Sequence, residues 1–161
     1  RILINFATGI NPRIAEADKK RAIDLDTNAD AAPFVPGPRA KMRPAGGEIR
    51  DFETGAPLFS DRQYRLARTP PQLAGRQFVF SKIGGAAADC LEDGMVYVLT
   101  PAPKRNRDSV EAELLRQGFA RAAIPECILF GGGAANACCV FQKATKPGEK
   151  VAFGKWGVLV F

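Results

Sequence analysis

Asp24, Asp26, Asn28 and Asp30 set oxygen-bearing side chains at alternate positions of one stretch, Asp24-Leu25-Asp26-Thr27-Asn28-Ala29-Asp30. That spacing suits calcium, because a hard cation wants six to eight oxygens and a tight turn gathers them. The match is partial. Ala29 stands where such a loop needs glycine, and Val35 stands where it needs a bidentate glutamate. An acidic turn whose Asp and Asn side chains bond their own backbone explains the same residues. No cofactor is expected, with calcium the one that the spacing leaves open.

A second set suits a sugar. Stacking on a pyranose needs an aromatic face, and orienting it needs planar hydrogen-bonding groups. Tyr64 beside Asp61, Arg62 and Arg65, with Trp156 on the tight turn between Gly154 and Gly157, offers both. The competing account is that Trp156 and Tyr64 are packing residues, where large aromatics mostly go.

Other chemistries find less. The chain has no histidine, which excludes histidine acid–base catalysis, histidine-bearing zinc sites and a histidine pH switch. Ser60, Ser81 and Ser109 lack a Gly-x-Ser-x-Gly context. Glu92 with Asp93, and Asp51 with Glu53, lie in charged, turn-like stretches and read as solvated residues rather than a glycosidase pair. The run Gly131-Gly132-Gly133 precedes β-prone Ala137-Cys138-Cys139-Val140-Phe141, so it reads as a hairpin turn, not a phosphate cradle opening a helix. The expectation is that the chain is not an enzyme.

The formal charge is +6 and the pI about 9.4. The 23 basic residues are dispersed among 17 acidic ones. The one dense run, Lys104-Arg105-Asn106-Arg107, has no interleaved aromatic to stack on bases. No nucleic-acid partner is expected. No apolar run approaches the roughly 18–20 residues that span a bilayer. The sequence opens at Arg1 with no apolar signal core behind it, as expected of a processed protein or a module of something larger.

Cysteines stand at 90, 127, 138 and 139. No Cys-x-x-Cys spacing exists, against a zinc ribbon or thioredoxin-type site. Buried thiols and a bridge such as Cys90 to Cys127 are both open readings. Cys138 and Cys139, adjacent in a strand, should point to opposite faces.

The elements that must position these residues are strands. Apolar runs of four to six residues between Gly, Pro and Asn punctuation read as buried antiparallel strands. They fall at 2–6, 77–80, 95–100, 127–130, 137–142, 150–153 and 158–161, with 95–100 the most apolar and central, while 48–52 and 58–59 bracket a turn at Thr54-Gly55-Ala56-Pro57. Residues 60–66 alternate Tyr64 and Leu66 against polar neighbours, the period of a half-exposed strand. Residues 11–22 make a weak helix at best, and 86–93 are ambiguous. Residues 31–47 hold Pro33, Pro36, Pro38 and Pro44 and read as a long irregular loop, anchored by Phe34 and Val35. One helix is clear, near 109–117: Asp108 as N-cap, Glu111 completing a capping box, Val110, Leu114 and Leu115 inward, Gly118 as C-cap. With one good helix against about eight strand-like runs, a doubly wound sheet lacks cover. An all-β antiparallel sandwich, jelly-roll-like, over a single domain 1–161 is the fold expected.

The order of several pieces is also familiar. They are Asp61-Arg62-Gln63-Tyr64, Pro71-Gln72-Leu73-Ala74-Gly75, Gly94-Met95-Val96-Tyr97-Val98-Leu99-Thr100-Pro101, Leu115-Arg116-Gln117-Gly118-Phe119, Phe141-Gln142-Lys143 and Gly148-Glu149-Lys150-Val151-Ala152-Phe153-Gly154-Lys155-Trp156. Over residues 58–161 the chain resembles β-sandwich accessory modules of large secreted bacterial sugar-active enzymes, sialidase-like proteins among them. The resemblance implies secretion or a cell-surface location and a non-catalytic role. The expected partners are carbohydrate, through Asp61, Arg62, Tyr64, Arg65 and Trp156, or neighbouring protein domains. The alternatives are a structural interaction module, and a module stabilised by calcium through Asp24, Asp26, Asn28 and Asp30.

Overall fold

The computed structural model describes residues 27–124 and 137–161, together with Asp18 and Arg21. The strands expected at 2–6 and 127–130, the glycine turn at 131–136, Asp24, Asp26 and Cys127 lie outside the described residues. Of the weak helix at 11–22, Asp18 and Arg21 are helical and form an exposed ion pair at 3.7 Å.

The central strand is β5 (Gly94–Pro101), every residue of it buried. A strand buried on both faces needs apolar residues at consecutive positions, which Met95-Val96-Tyr97-Val98-Leu99 supplies. It pairs antiparallel with β7 (Cys138–Thr145) along its whole length and with β9 (Val158–Val160). With β2 (Glu48–Asp51), β3 (Gln77–Phe80) and β6 (Ala120–Ala122) they form a six-stranded sheet, ordered β2-β3-β9-β5-β7-β6. A three-stranded sheet is ordered β1-β4-β8, from β1 (Lys41–Gly46), β4 (Ala87–Glu92) and β8 (Lys150–Ala152). Both sheets are antiparallel, so the fold is nearly all-β.

The six-stranded sheet is covered on both sides. On one side Val79, Val96, Val98, Phe141 and Leu159 meet Met42, Ala88, Cys90 and Val151 of the smaller sheet. The helix α1 (Glu111–Arg116) completes that cover with Val110, Leu114 and Phe119. On the other side Phe78, Tyr97, Leu99, Val140 and Val160 meet irregular chain carrying Phe52, Leu58, Phe59, Leu66, Leu73 and Trp156. Adjacent Cys138 and Cys139 divide between the two sides, as alternation in a strand requires.

Tight turns pass the chain between sheets. From β7 to β8 it runs through Lys146-Pro147-Gly148-Glu149, where Glu149 N–H donates to Lys146 O at 3.1 Å and Gly148 has φ 90°. Proline second and a left-handed residue third make a type II turn, and glycine takes that third place without a Cβ clash. Gly94 answers a different demand. A Cβ there would lie 2.2 Å from the Ala40 nitrogen, so the crossing backbone excludes any side chain.

Several expectations are corrected. Residues 31–47 are not irregular throughout, because β1 forms within them. Pro44 is tolerated there since β1 is an edge strand with register shifts at Lys41/Met42 and Pro44/Gly46. The ambiguous residues 86–93 supply β4. Residues 60–66 make bridges rather than a strand of either sheet, pairing locally at Pro57 and Arg65, while Ser60 N–H donates to Ser81 O just beyond β3 at 2.9 Å. Val35 anchors its loop through its backbone while its side chain stays 47% exposed. Its N–H donates to Gln142 Oε1 at 2.8 Å and its carbonyl accepts from Tyr97 Oη at 2.7 Å. Phe34 does pack inward, stacked on Tyr97 at 5.1 Å.

The helix is shorter than its signals. It begins after Val110 with no side-chain cap, and Glu111 bonds elsewhere, so the capping box is not made. Leu115 points out, 54% exposed, because six residues present one inward stripe, which Leu114 occupies together with Val110. Gly118 does end it, at φ 91°, with Phe119 N–H donating to Leu114 O at 3.0 Å. Cys90 is a buried thiol whose Sγ donates to Glu92 O at 3.2 Å.

Candidate functional site

The segment 53–69 folds on itself before it covers the sheet. Leu58 N–H donates to Tyr64 O and Leu66 N–H to Ala56 O, each at 3.0 Å. Alternation turns Tyr64 and Leu66 to the same side, where Leu66 is buried and Tyr64 half-buried. The Tyr64 ring lies edge-on to Phe59 at 6.3 Å and tilted against Trp156 at 5.8 Å, while Trp156 meets Phe59 edge-on at 5.2 Å. Residues 92 positions apart thus share one aromatic cluster.

Trp156 is the floor of that cluster, 2% exposed. Its ring face is taken by other side chains and is not presented to solvent. Backbone bonds fix it: its N–H donates to Asp108 O at 3.1 Å, and its carbonyl accepts from Thr100 Oγ1 at 2.8 Å. That buried hydroxyl also accepts from Val110 N–H at 2.9 Å, so one threonine ties the central strand to both the tryptophan turn and the helix start.

Polar groups border Tyr64. Asp61 Oδ1 accepts the Ile83 N–H at 2.9 Å, and its carboxylate pairs with Arg62 at 3.2 Å. Arg62 also donates to the Asp61 carbonyl at 3.0 Å. The turn after Ile83 lies on the Lys155 backbone, where a Cβ added to Gly84 would meet the main-chain nitrogen of Lys155 at 3.0 Å. Asp61, Arg62 and Tyr64 therefore converge with the 154–157 turn in one surface. Arg65 is directed to its own loop instead, donating to Gly55 O at 2.9 Å.

Of the calcium set, Asn28 and Asp30 are described. Asn28 Oδ1 accepts the Ile124 N–H at 2.8 Å, which ties the segment to the end of β6. Asp30 is exposed and left-handed, φ 55°. Among the described residues no three His, Cys, Asp or Glu side chains are grouped to hold a metal ion.

A feature that sequence reasoning missed is a cleft of about 520 Å³ between α1, β6 and the turn at Pro103. Asp30, Lys104, Glu111, Leu115 and Phe119 line it with Arg121. Glu111 and Arg121 form a largely buried ion pair, 23% and 12% exposed. Arg121 also donates to Ala29 O at 3.1 Å and lies over the Phe141 ring at 5.7 Å. The capping-box signal assigned Glu111 to the wrong partner, and nothing local in sequence links it to Arg121.

No protein-family profile and no curated protein matches the chain. Solved structures do. A β-glucuronidase from glycoside hydrolase family 2 superposes with TM-score 0.51 at 12% identity, over 80% of this chain and 14% of that one. A GH138 enzyme targeting pectin rhamnogalacturonan II superposes with TM-score 0.55 at 11% identity, over 92% of this chain and 20% of that one. The likeness is one of fold. It defines a β-rich architecture of a kind that these two glycoside hydrolases contain as a minor part of their length.

Proposed function

We propose that the chain is a non-catalytic accessory module of a secreted or surface-located sugar-active protein, binding carbohydrate where Asp61, Arg62 and Tyr64 meet. The observation that carries this reading is the fold shared with portions of two glycoside hydrolases. Tyr64 offers a ring edge and partial face, braced from beneath by Trp156, while the Asp61–Arg62 pair offers donors and acceptors in one place. The test is a glycan array followed by titration of any hit. Tyr64→Ala should weaken binding roughly tenfold, the scale of one lost aromatic contact. Silence across the array, or glycoside hydrolysis by the purified chain, would overturn it.

A second reading has its own observation. Trp156 is wholly interior and Tyr64 half so, as in a module that holds neighbouring domains together. In that case the array is silent while the melting temperature stays the same with calcium and with chelator. A melting temperature that falls on chelation would instead favour the calcium-stabilised alternative.

A further inference from the structure

The four ends of the two sheets are not alike. The outer edge of β6 is occupied, because Ala32 N–H donates to Arg121 O and Ala123 N–H donates to Ala32 O, both at 2.8 Å. β1 is interrupted by Pro44 and two register shifts, and β8 is only Lys150–Ala152. β2 has neither proline nor bulge, and all four of its residues are exposed.

Its backbone can be phased. β2 pairs with β3 in the register Glu48↔Phe80 to Asp51↔Gln77, and the next pair outward, Phe52 and Arg76, is joined by Phe52 N–H to Arg76 O at 2.9 Å. Hydrogen-bonded pairs alternate in an antiparallel ladder, so Glu48 and Arg50 bond inward to β3 while Ile49 and Asp51 point their N–H and C=O outward. Those outward groups have no protein partner among the described residues. Most natural sheet edges are blocked against this kind of pairing.

We propose that β2 is a homodimer edge, pairing antiparallel with β2 of a second copy about a two-fold axis at Ile49. Charge selects both the occupant and the register. With Ile49 opposite Ile49, Glu48 of each copy faces Arg50 of the other. Sliding one ladder step in either direction puts Arg50 on Arg50 or Glu48 on Glu48, and like charges directly opposite destabilise a pair. The charges are already held on one face of the strand, since Arg50 Nε donates to Glu48 Oε1 at 2.6 Å and the guanidinium rests 3.6 Å above the Phe80 ring. Ile49, 37% exposed, is one of the few large apolar side chains at the surface and would be covered by its own copy. A two-fold contact of this kind is self-complementary and closes, joining two six-stranded sheets into one.

The contact is small, so the dimer is a weak one. Sedimentation equilibrium over a dilution series should show reversible dimerisation. Glu48→Arg gives a chain with two cations on the edge and Arg50→Glu one with two anions. Each alone should dimerise at least tenfold more weakly than the parent, and mixed together they should form a 1:1 heterodimer. Ile49→Pro removes the outward N–H without touching the β3 ladder and should abolish association. A parent monomeric up to about 1 mM, where association is worth only some 4 kcal/mol, would overturn the proposal. So would a dimer indifferent to all three substitutions, or charge variants that stay apart when mixed. Restoration on mixing needs both variants folded, so a folding defect cannot imitate it.

Discussion

The two sides of the six-stranded sheet solve the same burial problem with different materials. One is covered by regular elements, and most of its contacts are small or aliphatic, Ala86, Ala88, Cys90, Val151 and Leu114 among them, with Phe119 and Phe153 as the large rings of the cover. The other is covered by chain without regular structure, and it holds Phe52, Phe59, Tyr64, Phe34 and Trp156. A strand or helix approaches with its backbone bonds already satisfied and can pack closely through small side chains. Irregular chain must satisfy each N–H and C=O individually. Side chains of the sheet and its margin supply part of those bonds: Gln142 to Pro33 and Val35, Tyr97 to Val35, Arg76 to Gly37. The loop-covered side is the one that brings Tyr64, half-exposed, to the surface beside Asp61 and Arg62.

Substitutions can break that comparison. The largest effect is expected from Trp156→Ala, which empties the centre of the aromatic side and should cost about 3–5 kcal/mol in denaturant unfolding. Leu114→Ala tests the regular side and should cost about 2–5 kcal/mol, whereas neighbouring Leu115→Ala, on the exposed face, should stay within about 0.5 kcal/mol. Thr100→Val removes the hydroxyl joining both covers to β5. It leaves Val110 N–H and the Trp156 carbonyl short of a partner, for about 1–3 kcal/mol.

Two titrations sharpen the contrast. Burial raises the Tyr97 hydroxyl above its ordinary value of 10.0, partly opposed by Arg76 and a backbone bond at Gly37. A raised pKa in the folded state gives a contribution that is complete below about pH 10 and lost as pH climbs through the raised value. Tyr97→Phe should cost about 1 kcal/mol at neutral pH and flatten the alkaline loss of stability. On the exposed turn, the bond from Lys143, then that from the Lys146 backbone, holds Glu149 below its ordinary 4.5. Its contribution is present above that value and lost as pH falls through the lowered one. Glu149→Gln should flatten the acid limb slightly, the smallest change of the series, read from melting temperature against pH.

Much of the sheet was legible because its strands are apolar at consecutive positions. Residues 77–80, 95–100, 137–142 and 158–161 carry that signature, and all contribute strands to the large sheet. β1 was hidden by Pro44 and Gly46, residues that an edge accepts and a central strand does not. The candidate site was legible by residue type alone. Tyr64 with Asp61 and Arg62 is a local signal, and the structure keeps those three together. That Trp156 lies beneath Tyr64 rather than beside it depends on which strand neighbours which, and no local pattern encodes that. Glu111 shows the same limit, since a valid capping signal was overridden by Arg121 arriving from β6.

The position of β9 carries a last consequence. Val158–Val160 lies between β3 and β5, bonded to both. During synthesis both neighbours leave the ribosome well before those three residues do. Until they arrive, the nascent sheet is two unjoined fragments with bare apolar margins, open to mispairing or to capture by a chaperone. Among its described strands, assembly of this sheet is completed from the middle, by the one that comes latest in sequence.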